Sequence, residues 1–228
     1  MSSDSHPAAL GVAEPRVAGE RRWPMALAVI VAIIVTVLVP DSLRHGPLWL
    51  APAVEALLLG ALVIGDPGRI DRRSKVLRGL SIGLVAVLLL TSLSFTAQLI
   101  SDLITGGPAT NSAGELLRAG VAVWVGNNIA FALLYWELDN GGSAARFHGD
   151  GKRPHFAFPQ QLSSALGWDD WRPRFVDYLY LGFTNATAFS PTDVMPLVPW
   201  AKLTMMAQSL VSLAILSLVV ARAVNVFT

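Results

Sequence analysis

Residues 79–104, GLSIGLVAVLLLTSLSFTAQLISDLI, decide the fold: Asp102, near the end, is the one formally charged side chain in the run. Crossing about 30 Å of hydrocarbon as a helix takes about 20 mostly apolar residues, and this run exceeds that. Working outward, residues 23–39 and 48–65 precede it, and residues 115–138 and 202–226 follow it, each apolar enough to cross. The first two are short and rely on Trp23 and Trp49 at the interface to complete the crossing. A further apolar stretch, residues 175–190, stops at Pro191 and is shorter than a full crossing. The expected fold class is all-α, a polytopic transmembrane bundle of six membrane segments, the fifth being either a crossing or a short re-entrant pore-type helix.

Composition agrees with lipid as the solvent. Hydrophobic residues make up 53% of the chain and charged residues 14%, against about a quarter charged in soluble domains. A formal net charge of +1 provides no basic surface for nucleic acid, so the bilayer is the expected partner. Cysteine is absent, which removes disulfides, thiolate nucleophiles and zinc–thiolate sites. The four histidines, His6, His45, His148 and His155, show no metal-ligand spacing of three or four residues. No cofactor, metal or catalytic motif is expected.

Four regions follow. Residues 1–22, rich in Ser, Ala, Pro and Gly without apolar period, read as a disordered cytoplasmic tail. Residues 23–138 form a four-helix transmembrane bundle. Residues 139–174 are a polar loop broken by Pro154, Pro159 and Pro173, with a short surface helix at residues 160–166 and an interfacial belt of Phe156, Phe158, Trp168 and Trp171. Residues 175–228 form a helical hairpin. With the N-terminus inside and six crossings, every Lys and Arg among the chain's 17 except Arg44, Arg118 and Lys202 falls on the cytoplasmic side, as the positive-inside rule asks.

Polar residues inside apolar spans are the candidate site, because an ionisable group in hydrocarbon costs roughly 2.5–3.5 kcal/mol on insertion scales. Glu55 lies a third of the way along its span, near Pro52 and the small residues Ala56 and Gly60. It reads as a proton or cation site, against the commoner role of a paired structural carboxyl. Thr91, Ser94, Gln98 and Asp102 recur at helical spacing and are expected on one inward face. Ala122, Gly126 and Ala130 form a close-packing seam with Asn127 and Asn128 beside it. Those adjacent amides lie about 100° apart around the helix and cannot serve one contact.

Residues 176–193, VDYLYLGFTNATAFSPTD, followed by a proline-bearing turn and a long apolar helix, resemble the pore hairpin of potassium channels, over about the last quarter of the chain. The resemblance implies a short pore helix, a filter, an aspartate at Asp193 and an inner helix; a tetramer would follow if it carries over. The glycine-bearing filter is missing, since Ala188, Phe189, Ser190, Pro191 and Thr192 stand there. Glycine adopts stacked-carbonyl angles cheaply and proline fixes its own. The whole chain is also similar to a family of uncharacterised bacterial inner-membrane proteins, through Asp177-Tyr178-Leu179-Tyr180, Phe183-Thr184 and Thr192-Asp193. That resemblance implies the inner membrane as location and no established activity. Two functions are expected: a channel- or transporter-like protein with a polar path of Glu55, Asp102, Asn127, Asn128, Thr184, Asn185, Thr187 and Asp193, or a non-conducting scaffold presenting residues 139–174. An enzyme is not expected.

Overall fold

Arg22 begins the first helix of the bundle, α1 (Trp23–Leu38), whose Pro24 occupies the opening turn, where a missing amide hydrogen is harmless. The structure, a computed structural model, describes residues 19–44, 46–70, 72, 74–108, 112–148, 153–163, 167–168, 171–187 and 193–227. Side chains are described to residue 224. Arg44 folds back over the end of α1 and donates to the carbonyls of Thr36 and Val37, which have no partner within the helix. Then come α2 (Leu50–Gly65), α3 (Lys75–Thr105) and α4 (Ala113–Leu138). Ser74 and Ser112 cap the last two by accepting from the amides of Leu77 and Glu115. Gly106, at φ 79°, closes α3 in the left-handed conformation. The chain ends with short α5 (Ser143–His148) and α6 (Pro159–Leu162), then α7 (Phe175–Thr187) and α8 (Pro199–Phe227).

The protein is all-α. Among the described residues the strands are two-residue ties: β1 (Glu20–Arg21) pairs with β2 (Arg69–Ile70), and β3 (Phe156–Ala157) with β4 (Met195–Pro196), both antiparallel. Three helical stretches are long and apolar enough to cross a membrane: α3, α4 continued through α5, and α8; α1 and α2 are shorter apolar helices. α4 is the axis, packed against α1, α3, α7 and α8. Around it the outer faces carry Leu57, Ile64, Leu90, Ile104, Leu117, Leu203, Leu210 and Val220, all exposed, while Glu55, Asn127, Asn128, Asn185, Gln208 and Ser212 are buried. A surface of this kind suits lipid, since water-soluble proteins rarely expose so much continuous apolar area.

One end of the bundle is basic. There the start of α1 meets the end of α2 through Arg22 and Asp66, 3.0 Å apart. The start of α3 meets the end of α4 where Ser81 donates to Glu137 at 2.6 Å. At the opposite end Gly120 of α4 lies against Val219 of α8. α8 therefore runs from the basic end to the opposite end.

α7 also starts at the basic end, with Tyr178 donating to Asp139, and reaches in until Phe183 stacks edge-on against Trp124, 5.8 Å between ring centroids. By residue 193 the chain is back where α7 started. Met195–Pro196 pairs with β3, Leu197 donates to the His155 carbonyl at 2.8 Å, and the rings of Tyr178 and Trp200 both pack on Phe156. α7 and α8 consequently run parallel. A helix of 13 residues is about 20 Å long, too short for the hydrocarbon core. The described part of this stretch, α7, starts at the basic end, and at residue 193 the chain stands at that end again. This moves Lys202 to the basic end and Arg222 to the other, so that among the described residues the opposite end holds only Arg44, Arg118 and Arg222.

Two other expectations are corrected. Glu20, Arg21 and Arg22 belong to the fold rather than to a tail: Arg21 pairs in β1, and Glu20 and Arg22 are buried; residues 1–18 lie outside the described residues. Phe156 and Phe158 are core rings, not an interfacial belt, because the loop folds inward onto Tyr178. In the loop α5 was not anticipated, and α6 covers only the start of the expected surface helix, of which residues 164–166 lie outside the described residues.

Candidate functional site

Glu55 is completely buried on α2, and neither carboxylate oxygen meets a donor in hydrogen-bond geometry among the described residues. Thr91 of α3 is the hydroxyl turned toward it. Beyond Thr91, toward the opposite end, lies an open cavity of about 440 Å³ lined by Thr36, Arg44, Pro52, Leu90, Thr91 and Ser94 among others. Toward the basic end, Leu59 and Leu62 of α2 and Leu84 and Leu88 of α3 are buried in one apolar cluster. The carboxyl thus lies between this cavity, which Thr91 lines, and an apolar cluster. Gly60 has no atom within 4 Å of the place a Cβ would take, so no neighbouring backbone uses the small residues that flank Glu55 there.

The two adjacent amides of α4 face different helices. Asn127 donates to Thr96 of α3 at 2.6 Å, and Thr96 in turn donates to the Ser92 carbonyl. Asn128 faces α7, where Gly182 lets the helices close up: a Cβ there would stand 2.9 Å from Asn128 Oδ1 and 3.4 Å from the Ala132 methyl. Gly182→Val should therefore overpack this contact and lower stability by about 2 kcal/mol, read as a lower melting midpoint of the purified protein in detergent.

α7 is bound to α8 by an amide cluster. Asn185 Nδ2 donates to Gln208 Oε1 at 2.8 Å and to the Met205 carbonyl at 2.9 Å. Gln208 Oε1 also accepts from the Tyr135 hydroxyl at 2.7 Å, and its Nε2 donates to the Gly182 carbonyl at 2.9 Å. Ser209 donates to Asn185 Oδ1 at 3.0 Å. No family model, curated protein or solved structure matches the chain.

The remaining candidates do not join one path. Thr184 and Thr187 donate to carbonyls of their own helix. Asp193 is exposed at the basic end. Asp102 is buried at the last turn of α3, where Gly107 passes so closely that a Cβ would overlap its carboxyl. The filter-like residues Ala188 to Thr192 lie outside the described residues. The expected inward face of Thr91, Ser94, Gln98 and Asp102 is corrected: Ser94 is exposed and Thr91 and Gln98 are half-buried, while Ser92 and Thr96 point in. One residue of offset rotates a helix face by about 100°.

Several buried polar groups were not singled out from sequence. Gln208, the amide deep within an apolar helix, had a visible signal; Tyr135 and Glu20 had none. Glu20 accepts from Trp136 Nε1 at 2.9 Å, from Ser143 Oγ at 2.8 Å and from the Phe175 amide. Arg146 is buried beside it, donating to the carbonyls of Trp136 and Asp139, with its guanidinium 5.0 Å from the Tyr178 ring centroid. These groups seal the basic end around the start of α7.

Proposed function

We propose that the chain is an integral membrane protein with five crossings, α1 to α4 and α8, and one re-entrant helix, α7, and that it moves protons or a small cation by way of Glu55. The positive-inside rule supports a cytoplasmic basic end and N-terminus. The observation that carries the reading is the fully buried Glu55 carboxyl, with only the Thr91 hydroxyl turned toward it among the described residues, near a cavity open at the opposite end. A carboxyl held in hydrocarbon at this cost is a functional group by default.

A transporter is favoured over a pore. The α7–α8 layout supports the likeness to a channel hairpin, since a short helix enters and a long one starts from the same side. Yet Asn185, Thr184 and Thr187 are spent on hydrogen bonds within the chain. The apolar seal of Leu59, Leu62, Leu84 and Leu88 argues for a gate that must move. α7 packs on α4 and α8 of its own chain, which supports one copy as the working unit.

Liposomes holding the purified protein and an internal pH dye, placed under proton, sodium and potassium gradients, test this. Wild type should dissipate at least one gradient faster than empty liposomes, Glu55→Gln should not, and Thr91→Val should be slowed. Equal rates for wild type and Glu55→Gln would end the proposal.

A second reading, the non-conducting scaffold, draws on the loop being tied down: Asp139 accepts from the His155 amide and Arg172 donates to the Arg146 carbonyl. A fixed loop of this kind suits a docking platform at the cytoplasmic face.

A further inference from the structure

At the basic end, between the end of α2, the start of α3 and α5, lies a cavity of about 360 Å³ with an apolar floor that includes Leu62, Leu77 and Trp136. Arg72, Lys75 and Arg78 stand at its rim, with Arg22, Asp66 and Glu137 deeper. The deeper acids are already engaged: Asp66 pairs with Arg22, and Glu137 accepts from Ser81. Arg72 donates to the Gly65 carbonyl at 2.8 Å and, among the described residues, joins no ion pair. Among the described residues Lys75 and Arg78 join no ion pair within 4.0 Å, and the Arg78 charge acts on Glu137 from a longer distance. Arg78 lies over Gly142, where a Cβ would come within 2.7 Å of its Nη1, so the glycine makes room for the guanidinium at the cavity edge. The cavity therefore has more positive charge than its own carboxylates neutralise.

We propose that this cavity binds a phosphate group, and that the acidic headgroup of a phospholipid is the form in which it arrives. Arginine and lysine suit phosphate oxygens by charge-assisted hydrogen bonds, and basic pockets between membrane helices at the cytoplasmic side take such headgroups. The same turns of α2 and α3 expose Ile64 (83%) and Val76 (70%) on their outer faces, a surface along which acyl chains would lie. A free phosphate ester offers the same oxygens without that apolar partner. The inference does not rest on Glu55 or on transport.

The test uses the full-length protein, delipidated in uncharged detergent. Mixed micelles of phosphatidylglycerol, mixed micelles of phosphatidylcholine, and inorganic phosphate are added in turn, with bound lipid counted by native mass spectrometry and the melting midpoint recorded. Phosphatidylglycerol should be retained and raise the midpoint, phosphatidylcholine should not, and Lys75→Gln with Arg78→Gln should weaken retention roughly tenfold or more. Arg153→Gln with Arg174→Gln, the same charge change at exposed positions outside the cavity, should retain lipid as wild type does. Lys75→Gln alone keeps the test readable should the pair disturb folding. Stabilisation by inorganic phosphate equal to that by phosphatidylglycerol, lost in the Lys75 and Arg78 pair, supports the phosphate site with a soluble ester as its source. Retention that is unchanged in that pair, or reduced equally in the control pair, overturns the proposal.

Discussion

Single cysteines at Arg153 and Asp193 are expected to react with a membrane-impermeant maleimide from the same face of the membrane, and one at Arg118 from the other. The chain has no cysteine of its own, so each variant reports one position. The expectation follows from the ties at both flanks of α7. Position 153 leads into β3, position 193 into β4, and the two strands pair. Arg118 stands near the start of α4, far from that pairing. With a full crossing by residues 175–190, positions 153 and 193 would be labelled from opposite faces. The contrast is all or none, and reaction of position 193 only together with position 118 would restore six crossings and remove the re-entrant helix.

Glu20→Ala should lower stability by about 3–5 kcal/mol, the largest loss expected from any single change here. The carboxylate is buried and accepts from the Trp136 indole, the Ser143 hydroxyl and the Phe175 amide. Removing it strands three buried donors at once, and bonds to a charged group are worth about 1.5–3 kcal/mol each. Glu20→Gln, which keeps the shape and one acceptor oxygen, should lose about half as much. Chemical denaturation in a fixed detergent would measure both; an alanine variant as stable as wild type would mean that the latch on α4, α5 and α7 carries no weight. Arg22→Met is expected to cost a similar amount by stranding Asp66, and Asp66→Leu added to it should recover most of the loss.

Much of the bundle was legible because hydropathy and length are local. Residues 79–104 announce a long apolar helix without reference to anything else in the chain, and the structure has α3 (Lys75–Thr105) around them. The different faces of Asn127 and Asn128 were legible for the same reason, since the angle between neighbours is a property of the helix. The partner of Asn185 was not: Gln208 stands on another helix, and only the closeness of α7 and α8 pairs them. Glu55 announced itself as a charge in an apolar run, but its complete burial and the Thr91 hydroxyl turned toward it depend on the packing of α2 against α3.

By itself the sequence determined an all-α chain with long apolar helices and a one-sided distribution of Lys and Arg. Only the tertiary structure decided that residue 193 stands at the end where α7 starts, that Glu20 is a core residue and that Phe156 and Phe158 are buried. The free energy of moving a side chain out of water is summed residue by residue and can be read along a line. The direction of a short helix and the pairing of buried polar groups depend on contacts such as Glu20 with Phe175, 155 positions apart, which no local pattern encodes.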